Sequence, residues 1–212
     1  MPSVKPSAAV YPSLVDIAVG ISRQPRFAGQ GKRWFSVLDH SLFADEMVQR
    51  TAQLPFLEMG TTGEARKRWR LAVLLHDAHE AITGDVPTTF KGLELKFEQD
   101  KLDVLIGNAF YPVSTEYPAF HHPDVKNAVK WIDRRALAAE ARVIGPPVSA
   151  ERILEAFGVT DDTPDDVQLL DNLVRFRGAE FPVRFFAVPP YEHNPTEHPG
   201  VQEYLRRVME LL

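Results

Sequence analysis

Two adjacent residues with metal-binding side chains, His76 and Asp77, stand in the word LLHDAHEA, directly after the longest aliphatic run of the chain, Leu71 to Leu75. An unpartnered carboxylate in apolar surroundings is strongly disfavoured, and a divalent cation is one of the few partners that satisfies an imidazole and a carboxylate together. Neighbours on a helix project about 100° apart, so both can touch an ion at the helix flank but cannot enclose it. Further ligands must come from other helices. His40 in VLDHSLFA and Asp133 in KWIDRRALAAEAR lie near the apolar faces of predicted helices and complete a set of two imidazoles and two carboxylates. That mixed set suits Mn, Fe, Co, Ni, Zn or Mg to differing degrees and leaves positions open for water and substrate, which is the pattern of a catalytic site. Glu80 follows His76 by four residues, hence on the same face of a continuous helix, and is the general-base candidate.

Cations suited to phosphate oxygens flank this set. Lys91 follows the turn GDVPTTFK, and Arg26, Lys32 and Arg33 lie in the loop before His40. A phosphoryl group beside a metal-activated water and flanked by cations is what metal-assisted phosphate hydrolysis requires, because negative charge rises on the non-bridging and leaving oxygens. Trp34, Phe35 or Phe27 could then stack on a base.

The elements that must position these residues read as helices. Leu14 to Ile21 has helical apolar spacing after Ser13, a suitable N-cap. Residues 22 to 32, with one proline and two glycines among cations, read as a loop. A second helix is predicted over about Ser36 to Gln53, with Val37, Phe43, Ala44, Met47 and Val48 near one face, Asp45, Glu46, Gln49 and Arg50 near the other, and Pro55 ending it. A third runs from near Thr62 without interruption to Gly84, its second half nearly all apolar and therefore central. Val86 to Thr89 is a turn, Gly92 to Phe110 a fourth helix, and Asp124 a candidate N-cap for a fifth that ends at Val143 before Gly145-Pro146-Pro147. Eight of the seventeen prolines fall in residues 146 to 200, where short helices are expected around Ile153 to Phe157 and Val167 to Phe176, with one extended piece at Val183 to Val188. The final twelve residues put Val201, Tyr204, Leu205, Val208 and Leu212 on one stripe, enough to dock a closing helix.

The expected fold is thus all-α: one domain over residues 1–212, with a core of about 12–143, a Pro-rich extension over 144–200 and a closing helix over 201–212. The chain has no cysteine, which removes disulfides, zinc thiolates, iron–sulfur clusters and a cysteine nucleophile. No apolar run approaches the roughly 20 residues that cross a bilayer, and the N-terminal stretch is broken by Pro12 and Asp16, so neither a membrane span nor a secretory signal is read and a cytoplasmic protein is expected. A net charge of −5 disfavours a protein that coats nucleic acid, yet leaves room for a cationic cleft around a small anionic substrate.

Several features also have bland readings. An HD dipeptide alone is weak evidence, and it is the aliphatic run, Glu80 and the two partners that give it weight. His79 reads as a partly exposed or hydrogen-bonded histidine, His121-His122 as a loop pair before Pro123, and Arg66 to Arg70 as the solvated first half of a helix with Trp69 turned inward. The Asp161 to Asp166 cluster reads as a solvated loop with N-caps, and Trp131 as core packing.

The order His40, His76-Asp77, Asp133 resembles the H…HD…D signature of the HD-domain phosphohydrolases. The words RFAG, FSVLDHS and HDAHEAITGDVPTTFK, and ID followed seven residues later by Glu140, look like the subgroup holding bacterial 5′-deoxynucleotidases, related prophage hydrolases and phage dATP triphosphohydrolases, over about residues 12 to 143. The resemblance implies an HD-type helical bundle that assembles into homo-oligomers and hydrolyses deoxynucleoside 5′-phosphates, either as a 5′-nucleotidase or as a triphosphohydrolase with dATP among its substrates. By it, His40, His76, Asp77 and Asp133 hold one divalent ion, Glu80 is the acid/base residue, Arg26 and Lys91 contact phosphate, and Asp85 belongs to the substrate-facing turn. The alternative is a non-catalytic nucleotide-binding or regulatory module on the same scaffold. The Pro-rich segment after Val143 is longer than in compact members of that subgroup.

Overall fold

The computed structural model describes residues 12–51, 63–86, 91–111, 119–146, 150–156, 158–159, 163–175 and 194–212. Helix α1 (Leu14–Ser22) opens on a reciprocal capping box, in which Ser13 accepts from the Asp16 backbone while the Asp16 carboxylate accepts from the Ser13 backbone. The same device, Ser36 with Asp39, starts α2 (Val37–Arg50). Between them Arg26–Gly29 forms a 3₁₀ turn, held by antiparallel pairing of Pro25 with Ser36. Helices α3 (Gly63–Leu75) and α4 (Glu80–Thr83) follow, then α5 (Leu93–Phe110), α6 (Pro123–Val143), α7 (Ala150–Ala156), α8 (Pro164–Arg175) and α9 (Pro199–Leu211). Among the described residues the fold is all-α.

The centre of the bundle is α2, which touches α1, α3, α6 and α9. Burial on so many sides explains why an amphipathic reading of α2 fails at Asp45. Expected on a solvated face, it is wholly buried and accepts from Arg70 at 2.7 and 2.9 Å and from Arg207 at 2.8 Å. Arg207 also reaches Glu46 and Glu203, so α9 is bolted to α2 through charge as well as through Val201, Tyr204 and Val208, each fully buried. Arg70 therefore leaves the solvated set that was expected of residues 66 to 70, whereas Trp69 is buried as expected and stacks on Trp131. Leu212, at the end of the predicted stripe, is 51% exposed.

One expected helix is two. The backbone breaks after Leu75, and residues 76 to 79 form tight turns in which Ala78 N–H donates to Leu75 and Glu80 N–H to Asp77, three residues back instead of four. The carbonyls that would continue an α-helix are occupied by side chains: Val73 accepts from His76 Nδ1 at 2.6 Å, and Leu74 accepts from the Tyr204 hydroxyl at 2.8 Å. Similarly, α6 starts one residue before the predicted cap. His122 is its N-cap, accepting from the Asp124 backbone, with Pro123 in the first turn where its missing N–H costs nothing. The helices expected within the Pro-rich extension are present as α7 and α8. The Val183 to Val188 piece, the stop at Pro55, the Pro87 to Thr89 part of the turn, and Asp161-Asp162 lie outside the described residues.

Candidate metal centre and cleft

Three elements bring the ligating atoms together: α2 carries His40, the turn after α3 carries His76 and Asp77, and α6 carries Asp133. His40 Nε2 stands 3.3 Å from His76 Nε2, 3.7 Å from Asp77 Oδ2 and 3.2 Å from Asp133 Oδ1. His76 Nε2 is 3.2 Å from Asp77 Oδ2 and 4.0 Å from Asp133 Oδ1. Among the described residues His40, His76 and Asp77 form a group able to hold a metal ion, and Asp133 adds a carboxylate at its edge. The break after Leu75, rather than two neighbouring projections from a regular helix, aims His76 and Asp77 inward.

The hydrogen bonds behind the rings make this donor set fit a cation. His76 Nδ1 must carry a hydrogen, because Val73 offers it only a carbonyl oxygen. His40 Nδ1 donates to Glu140 Oε1 at 2.5 Å. Neutral rings so anchored turn two Nε2 lone pairs toward each other and toward two carboxylates, an assembly of acceptors that only positive charge can stabilise. The proton equilibria carry the same message. Burial and the Arg26 charge oppose a charged His40, yet Glu140 and Asp133 outweigh them and push it up to about 10. His76 is raised too, against its burial, by the Asp77 carboxylate. Burial opposes ionisation of Asp77 and Asp133, but the facing imidazoles hold both below the ordinary carboxylate range. The residues therefore fit a divalent ion, whose identity they do not select.

Beside the cluster a cavity of about 200 Å³ is lined by Arg26, Phe27, Ala28, Asp77, Glu80, Asp85, Val86, Lys91, Asp133 and Leu137. It thus gathers Arg26, Lys91, Asp85 and Glu80 against two of the ligands. Glu80 is 3% exposed, has Lys91 Nζ 3.7 Å from one oxygen, and keeps its other oxygen buried with no hydrogen-bond partner among the described residues. Burial first, then the charges of Asp77 and Asp85, push Glu80 up to about 9 against the pull of Arg26 and Lys91. Burial raises Asp85 as well. Arg26 is clamped by Glu140 Oε2, 3.2 Å from both Nε and the terminal nitrogen, and that carboxylate, helped by Asp85, Asp77 and Asp133, overrides burial to keep its charge.

The remaining expected cations are elsewhere. Lys32 and Arg33 donate to the carbonyls of Arg142 and Val174, because their loop folds back onto α6 and α8. Trp34 does not line the cavity, whereas Phe27 does. Its placement comes from a left-handed stretch, with φ of 54° at Phe27, 51° at Ala28 and 74° at Gly29. Two consecutive non-glycine residues in that region cost about 1–2 kcal/mol each, a strain that clusters at functional sites. Glu140, fully buried behind His40, was legible only as part of a motif, since a lone glutamate among alanines carries no spacing signal. His79 is a buried histidine donating from Nδ1 to Asp103 at 2.8 Å, in line with its bland reading.

A second cavity of about 230 Å³ is lined by His76, Asp103, Phe120, Lys126, Val129, Lys130 and Asp133. Asp133 belongs to both walls. No helix among the described residues is long and apolar enough to cross a membrane.

Two proteins of similar sequence bear names that describe no function. The chain is 33% identical over 166 residues to the uncharacterized protein RCAP_rcc00048 of Rhodobacter capsulatus, across 76% of this chain and 75% of that one. It is 28% identical over 132 residues to the uncharacterized protein YfdR of Escherichia coli, across 61% of this chain and 60% of YfdR. No model of a known protein family matches.

Proposed function

The chain belongs to one family with the Rhodobacter capsulatus protein, and from the chemistry of the site we propose that it is a metal-dependent HD-type phosphohydrolase acting on deoxynucleoside 5′-phosphates. The observation that carries the reading is the meeting of two lone-pair-bearing Nε2 atoms, 3.3 Å apart, with two carboxylates that each stand 3.2 to 4.0 Å from both of them and line a cavity that also holds Arg26, Lys91 and Glu80. A divalent cation seated there would supply Lewis-acid polarisation of water and of a phosphoryl oxygen.

The chain's own residues account for the rest. Arg26 and Lys91 hold non-bridging oxygens, where a fork donor and a point charge are the suitable partners. Hydrolysis forms a bond from water oxygen to the α-phosphorus and breaks the bond to the leaving oxygen, so one proton must leave the water and one must reach the leaving group. Glu80, with a free buried oxygen on the cavity wall, is placed to hold that proton. Phe27 offers an apolar face to the nucleoside.

The test is a screen of deoxy- and ribonucleoside mono-, di- and triphosphates with Mn²⁺, Co²⁺, Ni²⁺, Zn²⁺ and Mg²⁺, reading released phosphate and identifying the phosphorus product by chromatography. Turnover of a deoxynucleotide that depends on an added cation supports the reading. A protein that binds a cation at these residues and turns over no nucleotide refutes it in favour of a non-catalytic module.

A further inference from the structure

We propose that Glu140 is the positioning residue of this site, fixing through one oxygen which nitrogen of His40 faces the cation and through the other where Arg26 stands on the cavity wall; the role of Arg26 in it rests on the hydrolase reading above. Glu140 lines neither cavity and is wholly buried in α6, two turns beyond Asp133. A buried carboxylate needs compensation, and here both oxygens are committed to the site. Oε1 accepts from His40 Nδ1 at 2.5 Å, and Oε2 accepts from Arg26 Nε at 3.2 Å and pairs with its terminal nitrogen at 3.2 Å.

Both partners present hydrogens, so the residue between them must offer two acceptors and no donor. Only a carboxylate does so. The commitment matters at each end. With its hydrogen held on Nδ1, His40 can offer only the Nε2 lone pair, 3.3 Å from His76 Nε2 and 3.2 Å from Asp133 Oδ1. Arg26 precedes the strained left-handed pair Phe27 and Ala28, and the fields of Asp77 and Asp85 also reach it. Released from Glu140, its guanidinium would turn to those carboxylates, and Asp77 is one of the groups the cation needs.

Glu140→Gln separates the two duties. An amide has one acceptor, and the charged guanidinium takes it more strongly than a neutral ring does. The amide N–H₂ then faces His40 Nδ1, which must accept, so the ring hydrogen moves to Nε2 and occupies the seat of the cation. Glu140→Asp keeps both acceptors but is one methylene short and reaches one partner only.

The experiment uses the metal-free full chain and Co²⁺ alone. Calorimetric titration measures Co²⁺ affinity, and nitrogen–proton correlation spectra of the histidine rings, recorded without metal above the pH at which His40 becomes neutral, identify the His40 tautomer, with His40→Asn assigning the signal. Loss of partners behind a metal-binding histidine typically weakens affinity 10- to 100-fold, and a fall of that size in Glu140→Gln with the hydrogen on Nε2 is expected. Glu140→Asp should weaken Co²⁺ binding as well, and it carries the test should the glutamine variant fail to fold. Co²⁺ affinity within twofold of the parent in a folded variant, with the His40 hydrogen still on Nδ1, overturns the proposal. Neither readout needs turnover, so a parent that binds Co²⁺ but hydrolyses nothing sinks the hydrolase reading and leaves the His40 half of the proposal standing on its own data.

Discussion

The cluster of acceptors predicts how the metal-free protein responds to pH. His40 is held at about 10 in the folded chain and returns to about 6.5 on unfolding, so between those values the folded state binds one more proton. The stabilisation this provides is complete below about pH 6.5 and is lost as pH rises toward 10. Glu80, raised from 4.5 to about 9, adds a second extra proton of the same sign up to about pH 9, and the upward push on His76 acts in the same direction. Asp77 and Asp133 are lowered, and their contribution is lost only at acidic pH, outside this window. One proton corresponds to about 1.4 kcal/mol per pH unit. At roughly 2–4 °C per kcal/mol for a chain of this size, the melting temperature in EDTA should fall by about 3–6 °C per pH unit for each such proton between pH 7 and 9. Saturating Co²⁺ takes the place of the His40 proton in the folded state, so it should flatten the slope and raise the melting temperature most at high pH. At 100 times its dissociation constant the ion adds about 2.7 kcal/mol. Thermal unfolding followed by circular dichroism at half-unit pH steps, with EDTA and with Co²⁺, measures both effects. A metal-free melting temperature constant from pH 7 to 9 would refute the claim that the facing ring nitrogens demand positive charge.

Removing single groups should separate binding from chemistry and packing. Asp77→Ala should lose Co²⁺ binding and turnover together, while Glu80→Gln should keep Co²⁺ affinity and lose about 10²- to 10⁴-fold in kcat; calorimetry beside a phosphate-release assay checks the pair. Asp45→Ala leaves Arg70 and Arg207 facing a buried gap, and breaking such a pair costs about 3–5 kcal/mol, read as a lower urea midpoint. At Gly20 an added Cβ would lie 2.6 Å from Ala81 Cβ and 2.9 Å from its Cα, so Gly20→Ala must push α1 from α4, costing about 1–3 kcal/mol in denaturant unfolding and lowering kcat because Glu80 begins α4.

Much of this arrangement was legible in the residues themselves. The caps and apolar spacing around Ser13, Ser36 and the last helix report local physics, and local physics decides where those elements start. His40, His76 and Asp77 were recognisable because metal-binding side chains in apolar runs demand a partner, and the structure sets Asp133 beside them. What was missed depends on distant partners. The break after Leu75 requires Tyr204, 130 positions along the chain, to take a carbonyl. Asp45 reads as a surface residue until Arg70 and Arg207 arrive from other helices to neutralise it. Lys32 and Arg33 read as free cations until their loop meets carbonyls near the ends of α6 and α8. Phe27 rather than Trp34 faces the cavity because of a left-handed turn that neither alanine nor phenylalanine favours.

The bond from Tyr204 to Leu74 also sets an order of events during synthesis. The tight turn that points His76 and Asp77 inward uses a hydroxyl that leaves the ribosome more than a hundred residues after the turn itself. A nascent chain halted anywhere before residue 204 lacks one of the two side chains that end α3, so its affinity for divalent ions should appear only after Tyr204 has emerged.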